Sequence, residues 1–171
     1  MTSTATNSAA TAQQRPRPSS TSLVRRPGAA DRGVELCIPR SSPPGLDGAG
    51  EMSESDRPWP GRVRRIGRAQ LREWRLDSLC EPVELCLSEL VTNAMRYGRG
   101  PVVGVRLYRA ASDLFIEVTD GSPARPVLSV AGSDDERGRG LVLVDAVAGS
   151  WGVTEDGTGT WCRLSVPEEQ P

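Results

Sequence analysis

Residues 82–97 constrain this chain more than any other stretch. Val83, Cys86, Leu87, Leu90, Val91 and Ala94 recur at the i, i+3, i+4, i+7, i+8, i+11 spacing of one helical face. Pro82 suits a first helical turn, where its missing N–H costs nothing. Gly98, Gly100 and Pro101 end the pattern. A helix with one broad apolar face has to bury it against a second layer. Two alternating runs follow at once. Val103, Val105 and Leu107 alternate with Gly104, Arg106 and Tyr108. Leu114, Ile116 and Val118 alternate with Phe115, Glu117 and Thr119. The short link from Ala110 to Asp113 makes these runs an antiparallel hairpin, and Asp120-Gly121 closes it.

The rest of the chain extends this pattern. Residues 60–76 predict a first helix, with Val63, Ile66, Gln70 and Trp74 on one face and Ala69 and Leu71 beside them. Its other face carries Arg62, Arg64, Arg65, Arg68, Arg72 and Arg75. That face is either a solvated helix surface or a contact for phosphates or an acidic partner. Residues 121–139 read as a long loop, which in a small domain is functional or a lid. A helix at 140–148 and strands at 150–154 and 159–166 complete the order (β)-α-α-β-β-loop-α-β-β. The prediction is an α/β two-layer sandwich: a mixed, mostly antiparallel sheet covered on one face by about three helices.

Composition sets the boundaries. Thirty of the first fifty residues are Ser, Thr, Pro, Gly or Ala, so residues 1–32 are expected to be disordered. Val34, Leu36 and Ile38 alternate within 33–39, an expected edge strand. Residues 40–57 read as a Pro/Gly/Ser linker, 58–167 as the globular domain and 168–171 as a tail. No run of apolar residues is long enough for a membrane helix, and the N-terminus lacks a secretory apolar core. The expectation is a cytoplasmic protein with no membrane contact. Cys37, Cys80, Cys86 and Cys162 show no C-x-x-C spacing and read as buried, reduced thiols.

Two absences narrow the chemistry. The chain has no His, and all 21 of its basic residues are Arg, because it has no Lys. Ser-His-Asp and Cys-His nucleophilic catalysis, imidazole-bound zinc, P-loop lysines and Schiff-base lysines are excluded within the chain. The all-Arg usage looks like a GC-rich coding bias. Net charge is −1, so no bulk attraction to nucleic acid is expected.

Three polar groupings remain. At about 100° per residue from Val83, the apolar face centres near about 10°, with Asn93 near about −80° and Glu89 near about −120°. Glu89 and Asn93 therefore share one flank of the buried face, one turn apart. A carboxylate there can orient or deprotonate a nucleophile, and an amide oxygen suits Mg²⁺. A solvated i,i+4 pair is the plainer alternative. Asp120, at a strand end before Gly121, can accept a bond from an exocyclic amine, or simply make an Asx turn. Arg137-Gly138-Arg139-Gly140-Leu141 precedes an apolar helix. Glycines at a helix start let backbone N–H groups approach a phosphate, and the two arginines add charge-assisted bonds. Such glycines also make ordinary loops.

Taken in order, Glu-x-x-x-Asn on a helix, Asp-Gly after a strand and Gly-x-Gly at a helix start resemble the N, G1 and G2 boxes of the Bergerat (GHKL) ATP-binding fold. The matching segments are 89–97, 120–123 and 137–144. The subgroup most similar is the stand-alone anti-sigma-factor serine kinases of bacterial partner switching. The stretches that carry this are Ser88-Glu89-Leu90-Val91-Thr92-Asn93-Ala94, Val118-Thr119-Asp120-Gly121-Ser122, 138–145, Ser150-Trp151-Gly152-Val153 and Gly159-Thr160-Trp161. The resemblance covers 58–167. It implies ATP and Mg²⁺ as cofactors, with Asn93 coordinating the metal and Glu89 as general base or water organiser. It further implies Asp120 on the adenine amine, Gly138 and Gly140 at the phosphates, and 121–139 as the ATP lid. Many relatives carry His or a basic residue at the end of the N box; here Arg96 and Tyr97 stand there. The G1 segment reads Asp-Gly-Ser-Pro rather than Asp-x-Gly-x-Gly.

Within that family, the missing His removes the histidine-phosphorylating branch, and 171 residues cannot hold the extra domains of the large ATP-driven members. The expected function is an ATP-binding anti-sigma factor that phosphorylates a serine or threonine of an anti-sigma-factor antagonist. Expected partners are a sigma factor and that antagonist, with a second copy of the chain as a further candidate. The alternative is a nucleotide-binding partner-switch module without phosphoryl transfer. A third reading, nucleic-acid binding through the arginine face of 62–75, predicts strongly salt-dependent retention. The net charge and the lack of interleaved aromatics oppose it.

Overall fold

In the computed structural model, residues 33–41, 51–121 and 139–167 are described, with Arg139 described by its backbone alone. The segments 1–32, 42–50, 122–138 and 168–171 lie outside the described residues, and with them the expectations of disorder, lid and tail. The elements are β1 (Gly33–Pro39), α1 (Trp59–Glu73), a single 3₁₀ turn at Asp77–Leu79, α2 (Cys80–Tyr97), β2 (Val102–Ala110), β3 (Asp113–Thr119), α3 (Arg139–Val147), β4 (Ser150–Val153) and β5 (Gly159–Ser165). The strands form a five-stranded sheet in the order β1-β2-β3-β5-β4, and every neighbouring pair is antiparallel. No parallel pairing is seen among the described strands, a sharper result than the mixed sheet expected. The fold is an α/β sandwich with three helices.

The core is the interface predicted from 82–97. Val83, Cys86, Leu87, Leu90, Val91 and Ala94 are all buried on α2. They join a cluster with Val103, Val105 and Leu107 of β2, Leu114, Ile116 and Val118 of β3, and Cys162 and Leu164 of β5. Each fully buried Val or Leu here contributes about 1.5–3 kcal/mol relative to exposure. Period-2 alternation puts Arg106, Glu117 and Arg163 on the opposite sheet face, where Arg106 lies 3.6 Å from Glu117 and Arg163 lies 3.4 Å from Asp113. Cys86 and Cys162 are both buried without a disulfide; hydrogen bonding to Cys86 and then burial push the Cys162 thiol well up. Both are poor nucleophiles. Cys37, by contrast, is exposed and Cys80 half-buried, so only two of the four thiols are buried.

On α1 the buried stripe differs from the predicted one. It runs through Val63, Gly67 and Leu71, and Ile66 is exposed. Gly67 is the cause: a Cβ there would sit 2.5 Å from Leu87 Cδ1, so the glycine lets α1 approach α2 closely. The helix ends in a Schellman motif. Leu76 N donates to Leu71 O and Arg75 N to Arg72 O, with Arg75 at φ 58°. The arginine face is largely tied down locally. Arg68 pairs with Glu84, Arg64 donates to Ser88 Oγ at 2.8 Å, Arg72 lies 3.9 Å from Asp77, and Arg62 covers the Trp59 ring at 4.9 Å. No helix among the described residues is long and apolar enough to cross a membrane.

The segment before α1 packs against the end of β1. Asp56 is buried, and its carboxylate accepts from Ser41 N and Ser41 Oγ, the latter at 2.9 Å. Residues 51–57, which read as linker, thus anchor the strand that precedes them.

Candidate functional site

The exposed flank of α2 carries the polar residues singled out above. Glu89 and Asn93 are both half-buried, one turn apart beside the core face. Burial pushes the Glu89 carboxyl above its usual range. A desolvated carboxylate is a stronger proton acceptor than a solvated one.

The start of α3 meets this flank. Leu141 and Val144 are buried and dock α3 onto the core, bringing Gly140 against α2. A Cβ on Gly140 would lie 2.5 Å from Glu89 Oε2 and 3.5 Å from Asn93 Nδ2. A side chain at 140 would have to displace the Glu89 carboxylate or push α3 back, and the first turn of α3 faces the carboxylate and amide directly. That turn also carries the free N–H groups of a helix N-terminus. The Leu141 side chain belongs to the core, so its backbone is the part left for a ligand. Arg139 is the first residue of α3; Arg137 and Gly138 lie outside the described residues.

Asp120 and Gly121 sit at the other end of the flank. Asp120 O accepts from Gly100 N at 2.8 Å, and Asp120 N donates to Thr158 O at 3.0 Å. Gly121 takes φ +67°, and a Cβ on it would lie 3.1 Å from Gly100 Cα. Asp120 is therefore held between the turn after α2 and the turn before β5. The two groups of residues are separate along α2: Glu89 to Gly98 spans about 14 Å of helix rise. An elongated ligand laid on α2 would meet an acid and an amide at one end and Asp120 at the other. Arg96 lies on the last turn, half-buried, with its guanidinium 5.8 Å above the Tyr97 ring.

Gly98 explains how α2 stops. Its φ is −64°, so it is not the left-handed cap that a terminal glycine suggests. A Cβ there would sit 2.4 Å from Arg40 Nη2, 2.5 Å from Ala94 O and 2.6 Å from Asp120 Cβ. Arg40 was missed in the sequence because it follows a strand 58 residues before its contact. Only its place just after a predicted edge strand hinted at a fixed position.

The family model for the histidine kinase-like ATPase domain matches residues 60–166. The chain belongs to this family. A histidine kinase-like ATPase domain binds ATP. The chain is also similar to an uncharacterised protein of Streptomyces coelicolor, at 37% identity over 89 residues, covering 50% of this chain and 85% of that protein.

The residues fit Mg²⁺ as well as nucleotide. Asn93 offers a hard amide oxygen and Glu89 a carboxylate, and the bare backbone of Gly140 lies close against both. No group of three or more His, Cys, Asp or Glu residues able to hold a metal occurs among the described residues.

Proposed function

We propose that this protein binds Mg·ATP on the α2 flank and phosphorylates a serine or threonine of an anti-sigma-factor antagonist, sequestering a sigma factor in a partner-switching circuit. The observation that carries this reading is the approach of Gly140 to Glu89 and Asn93, which brings a helix N-terminus, a carboxylate and an amide to one point. Mg²⁺, when bound, neutralises charge on the phosphate oxygens. Asn93 would hold it through its amide oxygen. The backbone N–H groups at the start of α3 hold the phosphates, and Asp120 accepts a bond from the adenine amine. Glu89 takes the proton of the attacking hydroxyl. The hydroxyl oxygen bonds to the γ-phosphorus as the bond to the β,γ-bridging oxygen breaks, and ADP leaves. The raised pKa of Glu89 suits it to that proton.

The test is phosphoryl transfer from ATP radiolabelled on its γ-phosphate to candidate antagonist proteins. Transfer to serine or threonine is expected, with loss in Glu89→Gln and retention of nucleotide binding. If nucleotide binds, no antagonist is labelled and Glu89→Gln changes nothing, the kinase reading fails. What then stands is a nucleotide-gated binding module.

A further inference from the structure

Arg40 lies before the segment that matches the family, yet it reaches into the Asp120 end of the site. Its side chain is buried, at 8% exposure. Its two Nη groups donate to Gly98 O and Ala94 O, two of the last carbonyls of α2. Ala94 O also accepts from Gly98 N at 3.0 Å, so the arginine adds a second donor there, and a cation at a helix C-terminus is favourable. Backbone holds the arginine in turn, since Arg40 N donates to Pro101 O at 2.9 Å.

The guanidinium also neighbours Asp120. Its Nη2 and Asp120 Cβ lie 2.4 Å and 2.6 Å from the same point above Gly98. Both side chains occupy the space that Gly98 leaves empty. Burial lowers the Arg40 pKa, while Asp120 and then Asp56 act in the opposite sense. An arginine so placed stays ionised.

We infer that Arg40 is a positioning residue: it locks the last turn of α2 and holds the Asp120 side chain in the orientation that reads the base. This inference rests on the proposal that Asp120 takes the adenine amine. Losing the guanidinium removes a donor from Gly98 O and Ala94 O and the positive charge beside Asp120. The phosphate end, one turn and more away at Glu89, Asn93 and Gly140, keeps its own contacts. The effect should therefore fall on base recognition rather than on nucleotide binding in general.

Calorimetry of the full chain with ATP and with inosine triphosphate, both with Mg²⁺, separates these. Inosine triphosphate carries an oxo group where adenine carries its amine. Wild type is expected to prefer ATP. Arg40→Met is expected to lower that preference by about tenfold or more, with inosine triphosphate affinity retained, the scale of one charged hydrogen bond. Arg40→Lys keeps the charge but not the two-pronged donor and is expected to fall between. If Arg40→Met shows no cooperative melt, Arg40→Lys carries the test, with a reduced preference expected. An unchanged ATP preference in a folded Arg40 variant overturns the inference. So does an equal loss of both nucleotides. Failure of wild type to bind either nucleotide instead overturns the underlying ATP reading.

Discussion

The two ends of the α2 flank are built in different ways. At one end Glu89 and Asn93 stand one turn apart on a single helix and face the first turn of α3. At the other, Asp120 is held by Gly100, Thr158 and the Arg40–Gly98 contact, from three separate stretches of chain. The first end is local chemistry on one rigid element. The second is an assembly of turns, steadied by a buried arginine. A helix positions groups through its own hydrogen bonds, whereas turns need tertiary contacts to hold a side chain still.

Substitutions can separate the two ends. The largest expected effect is on the element they share. Leu90 is 2% exposed beneath the flank, so Leu90→Ala should cost about 2–5 kcal/mol in urea unfolding. Both ends should weaken together. Gly140→Ala acts on one end alone. Its Cβ would meet Glu89 Oε2 at 2.5 Å, and forcing α3 away should cost about 1–3 kcal/mol. ATP and inosine triphosphate affinities should then fall in parallel, by calorimetry. Arg75→Gly should touch neither end. Arg75 holds φ 58° at the Schellman cap, and glycine there should add about 1 kcal/mol of stability by thermal melting, with nucleotide affinity unchanged.

The smallest effect is one of sign. Burial raises the Glu89 pKa above its unfolded value. Its contribution to stability is thus present in full below the unfolded pKa and lost as pH rises through the folded one. At neutral pH the ionised carboxylate is a burden that Glu89→Gln lacks. The variant should melt slightly above wild type at pH 7, and the gap should close as the pH is lowered into the carboxylate range. A gap that widens on acidification would contradict the desolvated Glu89.

Much of this architecture can be read from residue spacing. The apolar period of 82–97 and the alternation of β2 and β3 specify a helix lying on a sheet, because 3.6- and 2-residue periods cannot be confused over such lengths. Glu89 and Asn93 were legible because both lie on one helix, where spacing translates into position. The α1 stripe was misread because Gly67 counts as polar in a pattern yet packs as core. Gly98 ends the helix as expected, but it is glycine for want of room. Arg40 was barely legible: its contacts cross 54 and 58 residues of chain, and it opens the stretch 40–57 that reads as linker. Asp56, buried in that same segment, escaped for the same reason.

The central claim is that the α2 flank is a Mg·ATP site with Asn93 as its metal ligand. ATP calorimetry with and without Mg²⁺, on wild type and Asn93→Ala, tests it most directly. Wild type should bind ATP more tightly with Mg²⁺, and Asn93→Ala should lose that increment while melting at the wild-type temperature. Equal Mg-dependent affinity in the two proteins would contradict the account.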